Sequence, residues 1–331
     1  MRFLIIGTGY IGPVNTAALM ECDGVEIAGV FNRTIEKAEA MCAKLGLECP
    51  VFNDIDMAIS EVKPDVAVIN LFNDLHRDFF VRCATKGINI LIEKPLANTY
   101  EECIEMMDIA EEYGIKVSVL QTQRYGCVLT TAKQYIDMHR NELGELCSVS
   151  DQEAINYFWE GRNPWHLDEK RSGGGIVLNY GVHQLDRIHW LMEDTTAEFH
   201  AKYLTMKPGI ETKSSYVMMG VSTKGIPYTA SCNGYCSPYI NEITLNYQNA
   251  TMRLVLSDNG LNKKGVYIGS NETEVFTEIP LTCEDGEGWH EMYVREMKDA
   301  VSYLKGETDN SPVSMEWAAE MVRLCCLGFS V

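Results

Sequence analysis

The stretch Arg2-Phe3-Leu4-Ile5-Ile6-Gly7-Thr8-Gly9-Tyr10-Ile11-Gly12 decides the fold of this 331-residue chain. Phe3 to Ile6 is an unbroken apolar run, the pattern of a strand buried on both faces of a parallel sheet. It runs into glycines at 7, 9 and 12, the G-x-G-x-x-G spacing of a dinucleotide-binding turn. Gly7 permits the tight turn, Gly9 lets a pyrophosphate approach the backbone, and Gly12 lets the next helix pack closely on the strand. That helix, predicted from Ile11 to about Glu21, aims its free N–H groups and positive dipole end at the phosphates.

Working outward, a second apolar run at Val25–Phe31 follows the helix as a βαβ unit requires. Asn32 lies 20 residues beyond Gly12, where an acidic residue would hold the ribose hydroxyls of NAD. No carboxylate there repels a 2′-phosphate, and the guanidinium of Arg33 is available to pair with one, so the pattern favours NADP(H) over NAD(H). Strands at Asp65–Asn70, Asn89–Glu93 and Ile115–Leu120 alternate with helices at Ile35–Leu45, Asp54–Ser60, Leu75–Thr85 and Thr99–Tyr113, the last opened by a Thr99/Glu102 capping box. The expected fold is α/β: a Rossmann-type doubly wound parallel sheet over residues 1–122. Residues 123–331 are expected to form a second, α+β domain with an open, mainly antiparallel sheet. In it, helices at Val128–Glu142 and Leu178–Met192 precede strands spread over 198–279, and helices at His290–Leu304 and Met315–Leu327 close the chain.

A formal charge of −19 argues against nucleic acid or an anionic membrane as partner, since both need clustered Lys and Arg. No run approaches the 18 apolar residues of a membrane span, and the N-terminal run is too short for a signal peptide. The 12 cysteines are scattered without C-x-x-C spacing, so they are expected as free thiols in a reducing cytoplasm, and no metal-ligand spacing is present.

Chemistry is expected beyond the carboxyl ends of the parallel strands, where open α/β sheets bind ligands. Thr8, Tyr10 and Ile11 line the glycine turn. Asn73 and His76 follow the third apolar strand, and Glu93 and Lys94 end the fourth, with Pro95 holding Lys94 out of helical geometry. A lysine there can hydrogen-bond a substrate oxygen and assist proton transfer. Further on, Gly173-Gly174-Gly175 leads to Asn179, His183, Asp186 and Arg187, which share one face of the predicted helix. The imidazole of His183 can exchange a proton with a hydroxyl. Gln121, Arg124, Tyr157 and Trp165 are candidates for the substrate side.

Taken together, Gly7-x-Gly9-x-x-Gly12, Asn73-Asp74-Leu75-His76, Glu93-Lys94-Pro95-Leu96-Ala97 and Ser172-Gly173-Gly174-Gly175 leading to Gly181-x-His183-x-x-Asp186 resemble the Gfo/Idh/MocA family over nearly the whole length. The resemblance implies hydride transfer between a nicotinamide and a hydroxyl-bearing carbon of a sugar, cyclitol or related polyol. It also implies a homo-oligomer, dimer or tetramer, associated through the C-terminal sheet. By the same resemblance Lys94 contacts the reacting hydroxyl and His183 is the general acid/base. The family commonly has Asp four residues before that histidine, whereas this chain has Asn179, which hydrogen-bonds but cannot ionise. The proline common in the third-strand loop is also missing, since Phe72 precedes Asn73. Two other readings stay open: an enzyme of this fold that uses bound NAD transiently to cleave a glycosidic bond, and a non-catalytic NADP-sensing regulator.

Overall fold

The computed structural model describes residues 1–205, 212–283 and 288–329, and only the backbone of Cys236 and Ser237. They divide into two compact units. The first comprises Met1–Thr122 and Gly288–Val322, and the second the described residues from Gln123 to Glu287 and from Arg323 onward.

In the first unit β1 (Arg2–Ile6), α1 (Gly12–Leu19), β2 (Glu26–Phe31), α2 (Ile35–Leu45), β3 (Val51–Phe52), α3 (Ile55–Val62), β4 (Val66–Ile69), α4 (Asn73–Ala84), β5 (Asn89–Glu93), α5 (Tyr100–Tyr113) and β6 (Val117–Leu120) alternate. The six strands run parallel in the order β3-β2-β1-β4-β5-β6, with the chain crossing over between β3 and β4. β1 sits mid-sheet with helices on both faces, which is why Phe3 to Ile6 are all fully buried. Helix starts follow local chemistry. Asp54 Oδ1 accepts the Met57 N–H at 2.9 Å, and Thr99 Oγ1 accepts the Glu102 N–H at 3.2 Å. The Glu102 carboxylate reaches back to the Asn98 N–H, one residue before the position a capping box takes.

The two closing helices require a correction to the expected division. α9 (Trp289–Lys305) belongs to the first unit. Its Tyr293, Val294, Met297, Ala300, Val301 and Leu304 are buried in one cluster with Phe3 and Ile5 of β1, Val68, Leu91 and Leu120, and with Ala18 and Leu19 of α1. The reason is burial: β1 needs apolar cover on this face, and α1 and α2 leave part of it for a third helix. Lys305 donates to the Asp23 carbonyl at 2.6 Å, and His290 pairs with Glu21, fixing α9 beside α1 at both ends. The unit boundary then falls within α10 (Met315–Leu327).

The second unit holds α6 (Cys127–Leu143), β7 (Leu146–Asn156), the short α7 (Glu169–Ser172), α8 (Val182–Met192), β8 (Thr196–Leu204), β9 (Ser215–Ser222), β10 (Pro227–Asn233), β11 (Tyr235–Tyr247), β12 (Ala250–Val255), β13 (Gly265–Ser270) and β14 (Phe276–Ile279). Its eight strands are ordered β14-β13-β12-β11-β7-β10-β9-β8, antiparallel except where β7 and β10 pair parallel. Burial alternates along β9 and β10, with Tyr216, Met218, Tyr228, Ala230 and Cys232 inward and Val217, Met219 and Thr229 outward. Cys127 and Cys283 form a disulfide with Cα atoms 5.7 Å apart, so the expectation of free thiols throughout does not hold for this pair. Thr282 explains the approach. Its N–H donates to Thr131 Oγ1 at 3.0 Å and its hydroxyl to Gln134 Oε1 at 2.6 Å, laying the segment after β14 along α6.

Candidate active site

In the first unit the site is built from the carboxyl ends of the parallel strands. The Gly7 N–H donates to the Phe31 carbonyl at 2.9 Å, tying the turn to the end of β2. Gly7 adopts φ +97°, and a Cβ there would lie 2.6 Å from the Asn70 carbonyl oxygen. A Cβ on Gly12 would lie 2.4 Å from the Gly7 carbonyl oxygen, whereas Gly9 has nothing within 4 Å of where one would sit. Two glycines are therefore forced by crowding, and the middle one opens the turn. Thr8 Oγ1 is buried there without a hydrogen-bond partner. Crowded glycines, an open approach at Gly9, an unsatisfied hydroxyl and the start of α1 fit a dinucleotide pyrophosphate.

Behind the turn, Asn15 Nδ2 donates to Asn70 Oδ1 and to Glu93 Oε1, both at 2.8 Å, linking α1 to the exits of β4 and β5. Burial pushes the Glu93 carboxyl up, with the Asn15 hydrogen bond and the Lys94 charge pulling it back. Lys94 follows β5 directly, is half-buried, and is joined to Pro95 by a cis peptide bond. His76 lies fully buried on α4, its Nδ1 2.8 Å from the Pro95 carbonyl and its Nε2 3.2 Å from that of Leu71, so it braces the loop that carries Lys94. Burial also lowers its pKa. Asn73 is buried at the first turn of α4, and Gln121 is buried just past β6 with its Oε1 unpartnered. Asn32 Oδ1 accepts the Thr8 N–H at 3.4 Å, and its Nδ2 donates to the Thr34 carbonyl at 2.8 Å. The amide thus orders the turn. Arg33 is exposed beside it.

In the second unit the expected continuous helix over 178–192 begins instead as a π turn, Val177–Gly181, and becomes α8 at Val182. Gly181 packs closely, since a Cβ there would meet Met218 Cε at 3.0 Å and Cys325 Sγ at 3.3 Å. A wide turn of this kind re-aims the side chains it carries, and Asn179 lies within it. Asn179 Nδ2 donates to the Tyr157 hydroxyl at 3.3 Å. Tyr157 is fully buried, with the Arg162 guanidinium 3.6 Å over its ring and His166 Nδ1 3.4 Å from its oxygen. Burial raises its pKa. Trp165 stacks on His166 in the short 3₁₀ turn Pro164–Leu167. His183 is half-buried at the first turn of α8.

Other residues of that face have structural work. Asp186 holds Arg124 with three contacts of 2.5–3.1 Å, so Arg124 is a locked fork. Arg187 is wholly buried against Asp151 at 2.5 and 2.6 Å. Among the described residues no group of His, Cys, Asp and Glu could hold a metal ion, and no helix is long and apolar enough to cross a membrane. Sequence reasoning missed Asn15, Arg162 and the α9 residues Trp289, Tyr293 and Glu296. The last three stand where β1 and β6 end, and no local pattern announces which sheet a helix will cover.

Comparison with known proteins bears on both units. Residues 1–121 match the family described as "Oxidoreductase family, NAD-binding Rossmann fold", and residues 129–253 match the GFO/IDH/MocA C-terminal domain. An uncharacterized oxidoreductase of Streptococcus pneumoniae serotype 4 is 27% identical over 195 residues, 58% of this chain and 50% of that protein. The 1,5-anhydro-D-fructose reductase of Ensifer adhaerens is 24% identical over 220 residues, 66% of this chain and 65% of the relative. The chain thus spans about half to two thirds of the length of these relatives. A levoglucosan dehydrogenase solved with NADH and L-sorbose superposes with TM-score 0.88 at 16% identity, covering 100% of this chain and 96% of that one. Both halves are matched, in order, by the two domains of one family, and the chain belongs to the Gfo/Idh/MocA oxidoreductases.

Proposed function

We propose that this chain is a nicotinamide-dependent oxidoreductase that transfers a hydride to or from a hydroxyl-bearing carbon of a sugar, cyclitol or related polyol. One observation carries the reading: a turn that only glycine can make, at Gly7 and Gly12, stands at the sheet edge from which Lys94 emerges. A bound nicotinamide supplies the hydride donor or acceptor. The Gly7–Gly12 turn and the start of α1 hold its pyrophosphate. NADP(H) is favoured over NAD(H), because the Asn32 amide is engaged with Thr8 and Thr34 while Arg33 is exposed to meet a 2′-phosphate. Lys94 stabilises negative charge developing on the reacting oxygen, and His183 takes or returns its proton. Asn179 hydrogen-bonds a neighbouring substrate hydroxyl as a neutral group. Trp165 and Gln121 contribute to the substrate side, Tyr157 acts through Asn179, and Arg124 acts through its hold on Asp186. The outward face of the second sheet, with Leu204, Val217 and Met219 exposed, supports assembly into a homo-oligomer. A cytoplasmic location belongs to the same proposal, supported by nine described cysteines that form no disulfide and opposed by the one pair, Cys127–Cys283, that does.

The test is melting temperature with each of NAD+, NADP+, NADH and NADPH, followed by nicotinamide absorbance across sugars, inositols and keto-sugars. NADP(H) is expected to stabilise most, with Lys94→Ala and His183→Ala each lowering kcat by about 100-fold or more. Stabilisation by none of the four dinucleotides refutes the reading. Stabilisation by NAD(H) alone refutes the role given to Arg33.

A further inference from the structure

Tyr10 stands in the glycine turn with 81% of its surface exposed, and Trp289 opens α9 with 52% exposed. Their ring centroids lie 6.1 Å apart, and Tyr293 packs edge-on to Trp289 at 5.2 Å. Trp289 is not on a loose arm. α9 is fixed to α1 by the Glu21–His290 pair and the Lys305–Asp23 contact, and its next turns are buried on the sheet. Tyr293 hydrogen-bonds Thr122, whose hydroxyl also donates to the buried Glu296 carboxylate at 2.5 Å. The first turns of α9 therefore run from the exit of β1 to the exit of β6, along the edge where open α/β sheets bind ligands. Two neighbouring aromatic rings left exposed beside an open Gly9 offer a surface suited to an occupant that is partly planar and apolar and partly anionic. A nicotinamide dinucleotide has both characters. A neutral aromatic pair also leaves the backbone N–H groups of the turn to the phosphates.

We propose that Tyr10 and Trp289 form a wall against which the bound dinucleotide packs, making Trp289 a cofactor-contacting residue supplied from outside the first 122 residues. The inference rests on the dinucleotide reading above. The experiment excites tryptophan in the full chain and follows emission from reduced nicotinamide as NADPH or NADH is added. The wild type is expected to show sensitised nicotinamide emission. Trp289→Phe should lower it clearly while keeping its melting temperature and a Kd within about threefold, and Trp289→Ala should raise Kd about tenfold. Trp317→Phe, on α10, serves as the control and should retain the signal. Sensitised emission and Kd unchanged in both Trp289 variants overturn the inference while leaving dinucleotide binding intact. A wild type that shows neither emission nor thermal stabilisation overturns the dinucleotide reading itself, and this inference with it.

Discussion

Gly12 leaves no room for even one methyl group, because the atom it would meet is the Gly7 carbonyl oxygen at 2.4 Å rather than a side chain that can swing away. Gly12→Ala must move backbone. We expect it to cost about 1–3 kcal/mol, read as a lower melting temperature, and to abolish the further stabilisation that dinucleotide gives the wild type. A variant that melts and responds like the wild type would show that the turn tolerates a side chain. At this scale the sequence was informative where spacing alone dictates geometry. Glycines at 7, 9 and 12 have one economical explanation, and the chain is crowded at Gly7 and Gly12 and open at Gly9. It was less informative where a side chain has several possible partners. Arg124 was a substrate-side candidate, but nothing local reveals that Asp186, 62 residues on, occupies its guanidinium. Asn32 was weighed against a ribose, and its amide instead orders Thr8 and Thr34.

At the scale of elements, the end of α8 carries the main pH dependence we expect. His189 is buried, with Nε2 2.7 Å from Thr196 Oγ1, and burial lowers its pKa to about 4, with Asp194 opposing the shift and Arg124 adding to it. The unfolded chain therefore binds a proton between about pH 6.5 and 4 that the folded chain does not. Stability is full above about pH 6.5 and falls as pH drops toward 4, by up to about 3 kcal/mol from this site, with buried His76 acting in the same direction. Neighbouring Glu193 acts in the same direction at lower pH, although its pKa is lowered by hydrogen bonds rather than by burial. Hydrogen bonds from Arg140 and then Lys133 hold it down to about 2, so its exposed ion pairs are lost only below about pH 4.5. Melting curves between pH 7 and 4.5 should fall by several degrees, and His189→Gln should flatten that slope. An equal slope in the variant would exclude His189 as its source. Legibility at this scale followed length and burial. The buried strands β1, β4, β5 and β6 and the capped helices α3 and α5 stood out because each carries an unbroken apolar run or a cap. β3 has two residues and left no pattern. β8 falls in the region expected to be β from 198 onward but stood out as no separate segment, because Thr196–Leu204 is mostly half-exposed or exposed, with Tyr203 its one buried residue. The π turn before α8 escaped because its five residues differ from an α-helix in hydrogen bonding rather than in composition.

At the scale of the molecule, two long-range features lay beyond any local pattern, and each has a consequence. The Cys127–Cys283 bond joins residues 156 apart in sequence. Closing so long a loop contributes about 4–5 kcal/mol in the chain-entropy account. Alkylation of the denatured protein should find two fewer thiols before reduction than after, and Cys283→Ser should lower the melting temperature of oxidised protein by several degrees. Equal thiol counts would show the pair to be unlinked. The other feature is α9, which completes the first unit only after residues 123–287 of the second have intervened. A ribosome making this protein releases β1 to β6 long before it reaches Trp289. Until then Phe3, Ile5 and Leu120 lack part of their cover, and the nascent sheet shows an oily flank that a chaperone, or a neighbouring nascent chain, can seize.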